Sequence, residues 1–316
     1  MITVHYSNYK SFLDIHSDAI IGYCDNHFNK CTTQLNNYVN THFGSIITDF
    51  ESLIKASPET LKEIKEYFDK LTIKEKKKIR NDLNLKTLYG YFVRGGIYFS
   101  SNKITEKYNS KYLANKIDIF TCPYCNENYT YSFEYKKRGN QIRRTFDWDH
   151  IYSKKDYPFF AISFFNLVPA CKVCNQIKLD QNKKYFNPHL SVNVDDVYFY
   201  DINPIDAGFI SDTSKLQLNI IFKDVKYKDE IKETISVVAQ LNRFRCHKEL
   251  IKDILNKKRI YTDTYLAKLK NQNPILKAIS IGELKKTIYG VYFDHKDYYK
   301  RPFSKLTSDI LKNRYV

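Results

Sequence analysis

Two Cys-x-x-Cys pairs are the residues of this 316-residue chain whose spacing most clearly predicts chemistry. The pairs are Cys122/Cys125 and Cys171/Cys174. Each pair can place two sulfurs on one metal ion, and two pairs complete the tetrahedral shell of a structural Zn²⁺. The alternative, a redox dithiol, would require both pairs to act independently. The sequence therefore predicts a four-cysteine zinc site.

Four polar residues lie between the cysteine pairs or directly after them. Asp149 offers a carboxylate oxygen and Asn175 an amide oxygen, which are hard ligands that favour Mg²⁺ or Mn²⁺ over zinc. His150 can accept a proton from water, because an imidazole titrates near neutrality. Asn166 suits a role in pinning the loop between two strands and orienting His150. Each residue alone is usually structural, but together with the zinc site they predict metal-assisted phosphodiester hydrolysis.

The segments FDWDHIYSK and FFNLVPACKVCNQIK resemble the HNH endonuclease superfamily, whose core is a ββα-metal fold and whose members often carry two zinc-binding pairs. The resemblance implies that Asp149 and Asn175 hold the catalytic metal, that His150 is the general base and that Asn166 anchors the loop. The last of the implied metal ligands is Asn175, whereas histidine is commoner at this position in the superfamily. The amide oxygen of an asparagine favours Mg²⁺ as the catalytic metal.

Three further segments resemble a narrower group. CPYCN, YPFFAISFFNLVPACKVCN and RPFSKLTSDIL are similar to HNH proteins of bacterial anti-phage defence, including the nuclease that accompanies an ATPase in Septu-type systems. This resemblance implies an ATPase as a partner protein.

The charge of the chain is strongly positive, with 51 Lys and Arg against 35 Asp and Glu and a net charge of +16. Residues 241–316 contribute much of this excess, with 18 basic against 7 acidic residues. Such an excess fits DNA as a polyanionic partner, but it also fits an ordinary lysine-rich surface. The basic residues that flank the candidate site could contact phosphates, and these are Arg143, Arg144, Lys154, Lys155, Lys172 and Lys178.

The cysteine content and the N-terminal residues predict a cytoplasmic protein. Seven cysteines, four of them in tight pairs, fit metal-bound thiolates in a reducing compartment better than disulfides. Cys24, Cys31 and Cys246 are then expected to be buried, inert thiols. The N-terminal residues MITVHYSNYKSFLD do not have the basic start and apolar run that are typical of a signal peptide. The sequence contains no run of about 20 apolar residues, so no membrane span is predicted.

The residue patterns predict an α+β protein with a small zinc-bound ββα core, over residues 116–190, embedded between a helical N-terminal region, 1–115, and a mixed, mainly helical C-terminal region, 191–316. Within the core, Tyr129 to Tyr135 alternate as a half-buried strand, 142–148 returns as its partner, and 164–168 forms another strand. A helix-compatible stretch follows at 175–180. A long basic helix is predicted from 243 to 269.

The function expected from these features is a metal-dependent DNA endonuclease. One alternative is a zinc-ribbon module that binds nucleic acid without chemistry, which would need the cysteines but not Asp149, His150 or Asn175. Another is a regulatory subunit that docks on an ATPase through its helical flanks, a role that is compatible with nuclease activity.

Overall fold

The computed structural model describes residues 1–5, 9–94, 99–135, 141–179, 183–204, 206, 208 and 212–312. Contacts between Cα atoms divide the chain into two compact units. The first unit comprises residues 6–119 and 130–183, and the second comprises 1–5, 120–129 and 184–316. Helices and short antiparallel strand pairs occur in both, which confirms the α+β class. The predicted division at residues 115 and 190 stays a prediction.

The first unit begins with a series of helices that agrees with the helical pattern read from residues 1–115. Their bounds are α1 Tyr9–His27, α2 Thr32–Phe43, α3 Phe50–Lys55, α4 Pro58–Lys70, α5 Ile73–Asp82, α6 Lys86–Val93 and α7 Ser110–Lys116. Helix α4 shows why these segments are helical. Ser57 caps it by accepting from Thr60 N–H, Pro58 occupies the first turn, and Leu61, Ile64 and Phe68 bury one face.

The strands of the first unit pair differently from the sequence prediction. Strand β1, Ser132–Tyr135, pairs with β2, Gln141–Arg144, whereas β3, Phe146–His150, pairs with β4, Leu167–Cys171. The predicted return strand 142–148 was thus wrong as one element, because it is divided at Thr145 between two partners. Residues 136–140, where the sequence predicts the turn, lie outside the described residues.

The second strand of the β3–β4 pair begins later than predicted. Residues 164–166 form a 3-10 turn, and β4 runs through Pro169 to Cys171. Pro169 is tolerated because each strand of a two-stranded pair is an edge strand, which can spare one N–H. Helix α8, Lys172–Lys178, follows at once and packs on both strands. The element order is therefore strand, strand, helix.

The second unit contains the antiparallel pair of β5, Tyr198–Pro204, and β6, Leu216–Phe222. Its helices are α9 Lys228–Val237, α10 Gln240–Arg245, α11 Lys248–Ile260, α12 Asp263–Gln272, α13 Pro274–Lys277, α14 Ile281–Tyr289 and α15 Ser304–Lys312. The single helix predicted over 243–269 was wrong, because it is broken after Arg245 and again after Ile260. Thr262 then caps α12 by accepting from Tyr265 N–H. Across the described part of the chain, no helix is both long and apolar enough to cross a bilayer.

Asn126 connects the first cysteine pair to helix α15. It is almost fully buried and adopts a left-handed φ of 50°. Its Nδ2 donates to Thr121 Oγ1 (3.0 Å) and Tyr298 O (2.9 Å), and its Oδ1 accepts from Lys305 N–H (3.1 Å). Asn tolerates this φ better than other side-chain-bearing residues, and its amide supplies donors and an acceptor together. The residue after CPYC thus has a structural reason to be Asn.

Replacing Asn126 by alanine should lower the free energy of unfolding by about 2–4 kcal/mol, because a strained φ remains while buried hydrogen-bonding groups lose their partner. Urea denaturation followed by circular dichroism measures the change. The exposed Asn271→Ala, in α12, is the control and should stay within about 0.5 kcal/mol of wild type. Equal stability of the two variants would contradict the role given to Asn126.

Candidate functional site

The four paired cysteines form a single buried cluster. The Sγ atoms of Cys122, Cys125, Cys171 and Cys174 all lie within 4.8 Å of one another. Tetrahedral Zn²⁺ with bonds of about 2.3 Å would separate its sulfurs by about 3.8 Å. The donor set and its spacing therefore fit a structural zinc ion, as the sequence predicted.

Local backbone geometry shapes both cysteine pairs for this purpose. In the first pair, Asn126 N–H donates to Cys122 O (2.7 Å), which closes the turn around the sulfurs. In the second, Cys171 is the N-cap of α8, and its Sγ accepts from Cys174 N–H (3.5 Å). Each pair is thus held by its own backbone.

The cysteines outside the pairs depart from the sequence prediction. Cys24 is buried, and burial raises the pKa of its thiol to about 12, so it is inert as expected. Cys31 and Cys246 are exposed, so their predicted burial was wrong.

Asp149 faces helix α8 and is engaged by a lysine. The Nζ of Lys178 lies 3.0 Å from Asp149 Oδ2 and donates to His150 O (2.6 Å). Lys178 is only 2% exposed. Its predicted role as a phosphate contact does not fit this arrangement, because the ammonium is buried against a carboxylate.

Asn175 lies on the same helix, one turn before Lys178, and is partly exposed. Its Nδ2 is 3.5 Å from Asp147 Oδ2, at the limit of a hydrogen bond. Asp147 and Asp149 share one face of β3, since alternate residues of a strand point the same way. Asp147 is therefore an acidic neighbour of the candidate site that the sequence reading missed, although its period-two relation to Asp149 could have indicated it.

His150 points its ring into the unit and is 6% exposed. Its Nε2 lies 3.0 Å from Ala161 O, and the Tyr89 ring packs edge-on at 4.5 Å between centroids. A carbonyl oxygen can only accept, so Nε2 carries the hydrogen and Nδ1 keeps the lone pair. Burial lowers the pKa of His150 to about 4, the hydrogen bond to Ala161 opposing this, so the imidazole is neutral at physiological pH.

The loop between β3 and β4 is pinned by Asn166. Its Oδ1 accepts from Tyr152 N–H (2.8 Å), and its Nδ2 donates to Tyr152 O (3.1 Å) and Phe160 O (3.0 Å). A second buried histidine, His16, places Nε2 2.8 Å from Ile162 O. The two histidines thus bond to consecutive carbonyls, Ala161 and Ile162. The hydrogen bonds of Asn166 to Tyr152 and Phe160 confirm that it holds the loop, as the sequence predicted. The importance of Asn166 for catalysis stays a prediction.

The other basic residues fall into two places. Arg143, Arg144 and Lys172 line one cleft of about 240 Å³ together with Lys111 and Asp147. Lys154 instead places its Nζ 4.7 Å from the Tyr89 ring centroid, and Lys155 is exposed on the β3–β4 loop. The sequence did not indicate Lys111 or Tyr89, because both are distant along the chain from the cysteine pairs.

The candidate Mg²⁺ ligands fit in type but not in their present arrangement. A carboxylate and an amide oxygen are suitable donors. The Asp149 carboxylate, however, is already neutralised by Lys178, so a divalent cation could bind it only if the ammonium moved.

Comparisons of the chain with protein-family models, with curated proteins and with solved structures find no match in any of the three. The function must therefore be inferred from the residues of this chain.

Replacing Cys171 by alanine should release zinc and destabilise the first unit, because one ligand and the N-cap of α8 are lost together. Zinc content measured by atomic emission should fall from about one ion per chain to well below that value. The exposed Cys31→Ala is the matched control and should retain the metal. If Cys171→Ala kept its zinc and its melting temperature, the cluster would not be a structural zinc site.

The burial of His16 predicts a pH dependence of stability. Burial lowers its pKa to about 4, while an unfolded histidine titrates near 6.5. The unfolded state therefore binds an extra proton between these values, and stability present above pH 6.5 should be lost as the pH falls toward 4.

The slope in this window should reach about 1.4 kcal/mol per pH unit for each such histidine. Urea denaturation at several pH values between about 4.5 and 7 measures it. His16→Gln should have a shallower slope than wild type, whatever its absolute stability. An unchanged slope in the variant would show that His16 does not titrate as its burial requires.

Proposed function

We propose that the end of β3 and helix α8 form the active site of a divalent-metal-dependent endonuclease of the HNH, ββα-metal, type that hydrolyses phosphodiester bonds of DNA. The observation that carries the proposal is the orientation of His150. Its Nε2–H is committed to Ala161 O, which leaves the Nδ1 lone pair for a proton, and its neighbour on the chain is a carboxylate.

In the proposed mechanism, His150 is the general base and Asn166 positions it. His150, kept neutral by its low pKa, takes the proton of the attacking water on Nδ1. Asn166 fixes the loop that carries Ala161, and so holds the tautomer and ring orientation of the base. Because the ring is almost fully enclosed, catalysis requires a local opening that admits water.

Asp149 and Asn175 would hold the catalytic Mg²⁺ or Mn²⁺. Such an ion supplies positive charge to the scissile phosphate and the leaving oxygen. Lys178 must release Asp149 for this to happen. Its ammonium then becomes available to the substrate phosphate, which is the contact that the sequence predicted for this lysine.

The basic residues and the sequence resemblance support the choice of substrate and setting. Arg143, Arg144, Lys111 and Lys172 form one cleft with a single carboxylate, Asp147, so the cleft is attractive to phosphate. The resemblance to anti-phage HNH proteins extends the proposal to bacterial defence in the cytoplasm, together with a partner ATPase.

One observation favours a second function. Asp149 and Lys178 form a buried ion pair, and His150 is packed under Tyr89, as would be expected if these residues were purely structural. In that case the protein is a zinc-containing nucleic-acid-binding or regulatory subunit without chemistry. The two functions differ in whether His150 is needed for cleavage.

His150→Ala should lower the rate of Mg²⁺-dependent plasmid cleavage by about 10²–10⁴-fold, because general-base catalysis contributes about that much. Supercoiled plasmid is incubated with wild type and variant, with Mg²⁺ or Mn²⁺ and without, and the products are separated on agarose. His27→Ala, an exposed histidine in α1, is the control and should cleave like wild type.

Zinc content and DNA binding of His150→Ala should remain at the wild-type level. Cleavage by His150→Ala at the wild-type rate would remove His150 from the mechanism. Binding of DNA by wild type with no cleavage under any metal condition would favour the non-catalytic function.

A further inference from the structure

The β1 segment exposes a row of aromatic rings. Tyr131, Phe133 and Tyr135 are 43%, 43% and 41% exposed. They alternate along the chain, so they share one face, and the rings of Tyr131 and Phe133 lie 6.1 Å apart between centroids. We call these three rings the aromatic face. The sequence predicted a half-buried strand over 129–135, and these three rings lie on its exposed side.

Positive charge adjoins the aromatic face. Arg143 stands opposite Phe133 in the β1–β2 register, and its guanidinium lies 5.9 Å from the Tyr135 ring centroid. Arg143 also lines the cleft of Lys111, Arg144 and Lys172, which we call the basic cleft. Arg144 is oriented within it by a hydrogen bond from Nη1 to Ser110 Oγ (3.1 Å).

We propose that the aromatic face and the basic cleft, which lie on opposite faces of the β1–β2 pair and share Arg143, bind an unpaired nucleic-acid strand that passes around this edge. Its bases stack on the rings, and its backbone phosphates lie at Arg143 and in the cleft. Alternate side chains of a strand are about 6.6 Å apart, whereas stacked bases repeat at about 3.4 Å. Successive bases can reach successive rings only if they leave their stack. A duplex keeps its bases stacked and paired, so this surface favours a single strand.

The chemistry of the surface distinguishes this occupant from an acidic peptide. Four cations against the single carboxylate of Asp147 would attract either polyanion. Exposed rings stack with flat ring systems, and every base presents one, whereas a peptide of Asp and Glu presents none. The proposal rests on the proposed function only for its consequence, which is that the strand bound here is the one delivered to the proposed metal site at Asp149 and Asn175.

The test measures binding rather than cleavage. Fluorescence anisotropy of a labelled oligothymidylate of about 15 nucleotides, and of a duplex of the same length, is followed without added divalent metal. The full-length His150→Ala protein is used as the background so that the probe stays intact.

Phe133→Leu keeps an apolar side chain but removes the ring, and should weaken single-strand binding about fivefold or more. Phe133→Trp should bind at least as tightly as the parent. Lys172→Gln should weaken binding and reduce its salt dependence by about 0.7 in the slope of log K against log salt. Tyr67→Leu, an aromatic residue of similar exposure in α4, is the matched control and should have no effect.

Three results would overturn the proposal. The first is that Phe133→Leu binds the single strand as tightly as the parent protein does, or that Tyr67→Leu loses as much affinity as Phe133→Leu. The second is a duplex bound as tightly as the single strand. The third is displacement of the oligonucleotide by polyglutamate of the same charge as readily as by unlabelled oligonucleotide. Each of these is independent of whether wild type cleaves plasmid, so failure of the binding surface and failure of the nuclease are separate results.

Discussion

Helix α8 has seven residues, and its two anchors determine whether the candidate site exists. A helix this short is unstable in isolation, because about 12–15 residues are needed even for marginal stability. Cys171 and Cys174 hold its beginning within the four-cysteine cluster, and Lys178 holds its end through Asp149 and His150 O. Asn175 lies between the anchors, so its position relative to β3 follows from them.

The second anchor has two consequences for function. A buried carboxylate needs a partner, and Lys178 provides one, so the charge of Asp149 is neutralised within the first unit. The same ion pair occupies a ligand that a divalent cation would use. His150 is likewise held neutral and enclosed by the β3–β4 loop. The two groups that the proposed mechanism uses are therefore held by other residues, Asp149 by Lys178 and His150 by Ala161 O, and a cation that binds Asp149 would have to compete with an ammonium group.

Local patterns in the sequence predicted the parts of this arrangement that depend on neighbouring residues. The spacing of the cysteine pairs predicted the cluster, and the residue pattern of 1–115 predicted a helical region, to which α4 belongs. The pairing of Lys178 with Asp149, 29 residues away, leaves no local pattern in the sequence. The position of Lys178 beside the candidate site suggested a phosphate contact instead. Residues on either side of Thr145 have the same strand pattern. The sequence therefore could not predict that β2 pairs with β1 whereas β3 pairs with β4. Alternating rings at 131–135 could not reveal whether another layer would cover them.

A crystal structure of the protein soaked with Mn²⁺, with the metal located by its anomalous scattering, tests the central claim most directly. The account predicts Mn²⁺ at about 2.0–2.2 Å from an Asp149 carboxylate oxygen and the Asn175 amide oxygen, with the Lys178 ammonium displaced from Asp149. An intact Lys178–Asp149 ion pair with no Mn²⁺ beside it, at a metal concentration that supports cleavage, would contradict it.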